Sequence, residues 1–96
     1  MTEATLESTG SIGTSAAPGV LVRPYLSRRE VDVLVAWLKV TTKEEAAEVL
    51  YISPSTVSTH IARIRAKYVA VGRPARTKIA LLVRALQDGH IALDEV

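Results

Sequence analysis

The sequence predicts an all-α fold: a four-helix domain built round a helix-turn-helix, preceded by a disordered N-terminal arm. Three observations predict it. Side-chain capping signals open three separate segments, the apolar residues behind them recur with a period near 3.6, and no stretch alternates as a half-buried strand does. With 96 residues the chain has room for one small core.

Residues 1–24 are rich in Thr, Ser, Gly and Ala, contain Pro18 and Pro24, and follow neither period, so they read as a flexible arm outside the core. Ser27-Arg28-Arg29-Glu30 is a capping box, in which the serine hydroxyl takes the Glu30 amide and the glutamate reaches back. The first helix starts there and runs to about Leu38, with Val33, Leu34, Trp37 and Leu38 on one face. Thr42-Lys43-Glu44-Glu45 is a second box, opening a helix of about two turns with Ala46, Ala47, Val49 and Leu50 as its small and apolar positions. Ser53-Pro54 starts the third helix, about 54–68, because proline at the first helical position lacks only an amide that would be unpaired anyway. Val57, Ile61, Ile64 and Tyr68 line its inner stripe, and Ser55, Ser58, Thr59, Ala62, Arg63 and Ala66 project outward. Gly72 and Pro74 make residues 69–76 a loop, and Thr77 to Gln87 form the fourth helix, stopped by Gly89. The domain therefore spans 25–92, with a C-terminal tail over 93–96.

Several function classes drop out. Without Cys there is no disulfide and no thiolate ligand, and His60 and His90 have no ligand-like spacing, so no metal site and no cofactor is expected. No carboxylate is placed to orient a histidine and no nucleophile–base pair is evident, so there is no catalytic residue and no enzyme. No apolar run approaches the ~20 residues of a membrane span, and the first residues lack the charged and apolar regions of a secretory signal. The expectation is a cytoplasmic protein without membrane contact.

The net charge of +2 conceals an uneven distribution, since no acidic residue lies between Glu48 and Asp88. That interval holds Arg63, Arg65, Lys67, Arg73, Arg76, Lys78 and Arg84. Such a block is either a solvated helix face or the footprint of a polyanion, whose condensed counterions are released when cations replace them. Its position decides for the polyanion, because the block begins on the third helix. Ala47 is small where the second and third helices cross, Ile52 plugs the turn, and Leu50 and Val57 fix the interhelical angle, which are the sterics of a DNA-binding helix-turn-helix.

The chain here resembles the LuxR/GerE-type helix-turn-helix domains of quorum-sensing and NarL/FixJ-like regulators. The resemblance rests on Leu26-Ser-Arg-Arg-Glu30, Val33-Leu34, Glu45-Ala-Ala-Glu48, Leu50-Tyr-Ile-Ser-Pro54, Thr56-Val57, Thr59-His60, Ile64, Lys67 and Ala85-Leu-Gln-Asp-Gly-His-Ile91, and covers 26–91. It implies a third helix that enters the major groove and a fourth that often pairs two copies on an inverted repeat. The expected activity is sequence-specific binding of double-stranded DNA by a transcriptional regulator. Ser58, Thr59, Ala62 and Arg63 are expected at base edges: hydroxyls serve either base type, methyls touch thymine, and arginine pairs with guanine. Lys43, Ser55, Thr56, Arg65 and Lys67 are expected at phosphates. Gly72-Arg73-Pro74 resembles the core of an AT-hook, which offers Arg73 and Arg76 a minor-groove role; as an ordinary basic loop the pair lies near phosphates, the preferred reading. His60, nearer the inner stripe, reads as a packed histidine hydrogen-bonded within the domain.

On the fourth helix Ile79, Leu82, Val83 and Leu86 are expected to face the core, leaving Leu81 and Ala85 for a homodimer contact. Glu44, Glu45 and Glu48 read as a cap plus a solvated acidic patch, with contact to RNA polymerase or another regulator the lesser reading. Ser55, Ser58 and Glu44 stand where the family often has Lys, and Val40 where it has a helix-ending Gly, so the first helix must end without positive φ. The missing lysines give weight to an alternative: an interaction module of little DNA affinity that docks onto or titrates another regulator.

Overall fold

The computed structural model describes residues 21–95, over which the order is α1 (Arg28–Leu38), α2 (Lys43–Leu50), α3 (Pro54–Ala70) and α4 (Lys78–Gln87), then a 3-10 turn at Leu93–Glu95. The described residues include no strand, as an all-α fold requires. Each helix begins on a hydroxyl. Ser27 and Thr42 close reciprocal capping boxes with Glu30 and Glu45, while Ser53 and Thr77 accept from the amides of Thr56 and Ala80.

The helix ends differ more from expectation than the starts. With valine rather than glycine at position 40, α1 closes on Lys39 in right-handed geometry (φ −89°), and the Val40 amide donates to the Trp37 carbonyl at 3.4 Å. The left-handed conformation appears instead at the end of α2, where Tyr51 has φ 58° and ψ 44° and is 94% exposed. That turn is fixed by the Ile52 amide donating to the Ala47 carbonyl at 3.0 Å. The third helix runs to Ala70, two residues beyond the expected Tyr68, because nothing breaks it before Gly72, which has φ 74°.

Helices α1, α2 and α3 pack on one another around Val33, Leu34, Ala46, Ala47, Val57, Ile61, Ile64 and Tyr68, all buried. Of the four residues expected to shape the α2–α3 corner, Ala47 is 4% exposed, Val57 is fully buried, and Leu50 and Ile52 are half-buried against the same core. The fourth helix closes the core with Leu81 and Ala85, both fully buried. This corrects the assignment of those two residues to a dimer contact: Ile79 is 75% and Val83 42% exposed instead. The cause is Asp88, which shares a stripe with Leu81 and Ala85 and is held inside the protein.

Asp88 sits in a buried polar knot. Tyr68 Oη donates to its Oδ2 at 2.6 Å, and the Arg73 guanidinium pairs with Oδ1 at 3.0 Å and Oδ2 at 3.2 Å. Arg73 also donates to the Gln87 side chain at 2.9 Å and to the Val22 carbonyl at 2.8 Å, and lies over the Tyr68 ring. Burial alone would raise the Asp88 carboxyl, but the bonds from Arg73 and Tyr68 and the Arg73 charge hold it below the usual value. Burial, and then the carboxylate, push the Tyr68 phenol up. The knot ties the chain entry into the domain: Pro24 is buried and Val22 is gripped, so residues 22–24 join the domain, whereas the rest of the expected arm, 1–20, lies outside the described residues.

Candidate nucleic-acid interface

Helix α3 presents the face expected of it. Ser55, Thr59, Ala62, Arg63 and Ala66 are exposed and Ser58 is half-buried, while the opposite stripe is sealed into the core. Thr59 turns its hydroxyl proton back to the Ser55 carbonyl at 3.0 Å, which leaves its methyl and its oxygen lone pairs outward. Among the described residues, Arg63 makes no ion pair within 4.0 Å, so its guanidinium is uncommitted at the surface. At the head of the helix the Ser53 hydroxyl, which caps the Thr56 amide, lies 3.0 Å from the hydroxyl of Ser55 and 2.8 Å from that of Thr56, at the positive helix end. Lys43 stands at the head of α2 in the same way, half-exposed at its first position.

The basic block divides into cations that face solvent and cations that hold the fold. Arg76 is exposed. Arg73 is 7% exposed and spent on Asp88, Gln87 and Val22, so its expected roles, at a phosphate or in a minor groove as part of an AT-hook, are corrected to a structural one. Lys67, expected at a phosphate, places its ammonium 2.6 Å from the buried Glu30 carboxylate and over the Tyr25 ring. Burial opposes the Glu30 charge, but the bond and charge of Lys67 and the Ser27 amide outweigh it and lower the carboxyl below its ordinary value. Lys67 is thereby neutralised locally. Arg65 is half-buried and lies 5.5 Å from the Trp37 ring centre, against the edge of α1. On the other hand Lys78, absent from the expected set, reaches the same ring at 4.9 Å and donates to the Val40 carbonyl at the C-terminal end of α1. A lysine in the first turn of a helix gave no local sign of this, since its partner is 38 residues earlier.

His60 is half-buried, as expected of a packed histidine, but its buried Nδ1 lacks a hydrogen-bond partner, so the expected internal bond is not made there. Glu44 and Glu48 are exposed and Glu45 is a cap, accepting from the Thr41 and Thr42 amides at 3.0 Å. Val31 packs on the core, and Val35 lines a shallow cleft between α1 and α2 with Ala36, Val49 and Leu50. No helix among the described residues is long and apolar enough to cross a membrane, and none of their His, Asp and Glu side chains cluster as metal ligands.

One protein-family model, described as bacterial regulatory proteins of the luxR family (GerE), matches residues 24–80. No curated protein and no solved structure matches the chain.

Proposed function

Since the chain belongs to the luxR family of bacterial regulatory proteins, which are DNA-binding transcription regulators, we propose that it lays α3 in the major groove of an operator. The observation that carries this reading is the outer face of α3: small hydroxyl and methyl groups beside one unpaired guanidinium, on a rigid helix and in a stretch of chain without an acid. A groove about 12 Å wide admits a helix whose side chains are short. Ser58, Thr59, Ala62 and Arg63 then read base edges, while Lys43, Ser55, Thr56 and Arg76 hold phosphates and set the register. The paired state of Lys67 removes it from the anchors, and its ammonium serves the α1–α3 contact instead.

Readers and anchors separate by experiment. Arg63→Ala is expected to relax preference at one or two operator positions by ~1–3 kcal/mol, and Lys43→Ala to weaken all duplexes alike. Sites recovered from random DNA, followed by titrations on matched and mismatched duplexes, check this. Equal, sequence-blind losses from both variants would remove the assignment.

The same reading has the protein act as a dimer on an inverted repeat, supported by the face of α4 that the core leaves uncovered, Ile79 and Val83 at i and i+4 with Leu82 and Leu86 half-buried beside them. Two copies joined there would meet half-sites about one helical turn apart. Val83→Glu should convert a dimer into a folded monomer, seen as halved mass in sedimentation with unchanged helicity. The rival reading, an interaction module, draws on the cleft at Val35 and Val49. It predicts no steep fall of DNA affinity with salt, which an anisotropy titration at several salt concentrations decides.

A further inference from the structure

The geometry points to Trp37 as the platform of a built phosphodiester site, on which Arg65 of α3 and Lys78 of α4 are held ready for one stretch of nucleic-acid backbone. The inference rests on the DNA-binding reading above and adds to it a site and a positioning residue. Trp37 is the chain's one tryptophan, 6% exposed, with the Arg65 guanidinium carbon 5.5 Å and the Lys78 ammonium 4.9 Å from its ring centre. Two cations on one ring repel each other, so the arrangement costs free energy that an anion bound nearby would recover. Among the described residues neither cation has a carboxylate within 4.0 Å, although Arg73 and Lys67 in the same basic block do. Arg65 Nε is moreover buried without a hydrogen-bond partner, so its guanidinium is fixed by the ring and by packing while its outer nitrogens are left for another acceptor.

The site is also in the right place. Arg65 follows Ser58 and Ala62 by seven and three residues, so it continues one edge of the groove-facing side of α3. Lys78 is the first residue of α4, tethered by one of its three protons to the Val40 carbonyl, and exposed Arg76 immediately precedes the Thr77 cap. A phosphate at the rim of the groove occupied by α3 would meet Arg65 from one element and Lys78 from another. Trp37 touches no DNA in this arrangement; it acts through the two cations, whose side-chain freedom it removes before binding.

The test is the salt dependence of binding by the full chain to a labelled short duplex of mixed sequence. Each lost phosphate contact lowers the slope of log K against log salt by about 0.9. Arg65→Gln and Lys78→Gln are each expected to reduce the slope by about that amount. Trp37→Leu should reduce it as well, and Trp37→Phe, which keeps an aromatic face, should restore most of it. A tryptophan with a structural role alone would reduce the folded fraction equally at every salt concentration and leave the slope unchanged. Slopes unmoved in Arg65→Gln and Lys78→Gln overturn the site, even if Trp37→Leu proves too unstable to measure. If the unaltered chain binds with a steep slope and Arg63→Ala still changes sequence preference, such a result removes this site and spares the major-groove reading. Absence of salt-sensitive binding by the unaltered chain removes both.

Discussion

Arg73→Ala is expected to cost about 3–5 kcal/mol of stability, the range for stripping one partner from a buried ion pair. Both side chains of the pair are nearly sealed, at 8% exposure for Arg73 and 1% for Asp88, so the carboxylate left behind would keep only the Tyr68 hydroxyl. Asp88→Asn should cost a similar amount by stranding the guanidinium. Changing both at once, to Met and Leu, should cost less than the two losses summed, since no uncompensated charge remains. The same knot sets an acid limit. The Asp88 carboxyl is lowered from its ordinary 3.8, so its contribution to stability is complete above that pH and is lost as pH falls below it. Glu30 acts in the same sense. Urea titrations at neutral pH and across the acid range check both points, and the acid slope should flatten in Asp88→Asn. A variant Arg73→Ala as stable as the parent, yet weakened on DNA, would return that arginine to the phosphate backbone.

Ala62→Glu should lower DNA affinity by about a hundredfold or more, because a carboxylate thrust toward base edges and phosphates meets like charge at a cost of several kcal/mol. The fold should be untouched. Ala62 is exposed in the middle of α3, and glutamate is a good helix former there. Circular dichroism and thermal unfolding are therefore expected to match the parent, so the loss reads out the interface alone. Near-parental affinity would mean that this face of α3 does not enter the groove, and would favour the interaction module.

The parts of this molecule that depend on near neighbours were legible from the residues. Ser27, Thr42 and Ser53 each satisfy an amide three positions on, so three helix starts were read from their caps, whereas Thr77, taken as the first residue of α4, is its cap. The inner and outer stripes of α3 were legible for the same reason. Facing on α4 was not, because apolar residues occupy nearly its whole circumference. Its orientation is set by a polar residue, Asp88, whose partners Tyr68 and Arg73 are 20 and 15 positions away. The roles of individual cations depended on equally distant groups. Arg73, Lys67 and Lys78 look alike in an acid-free block, and what separates them is Asp88, Glu30 and the Val40 carbonyl. Tyr51 shows a further limit, since a left-handed tyrosine is compelled by the tight passage from α2 to α3 rather than by its own preference.

The grip of Arg73 on the Val22 carbonyl fastens the segment ahead of α1 to the far end of the domain. The guanidinium that holds Val22 also braces Asp88 and Gln87, so replacing this one arginine would loosen the chain entry and the end of α4 together.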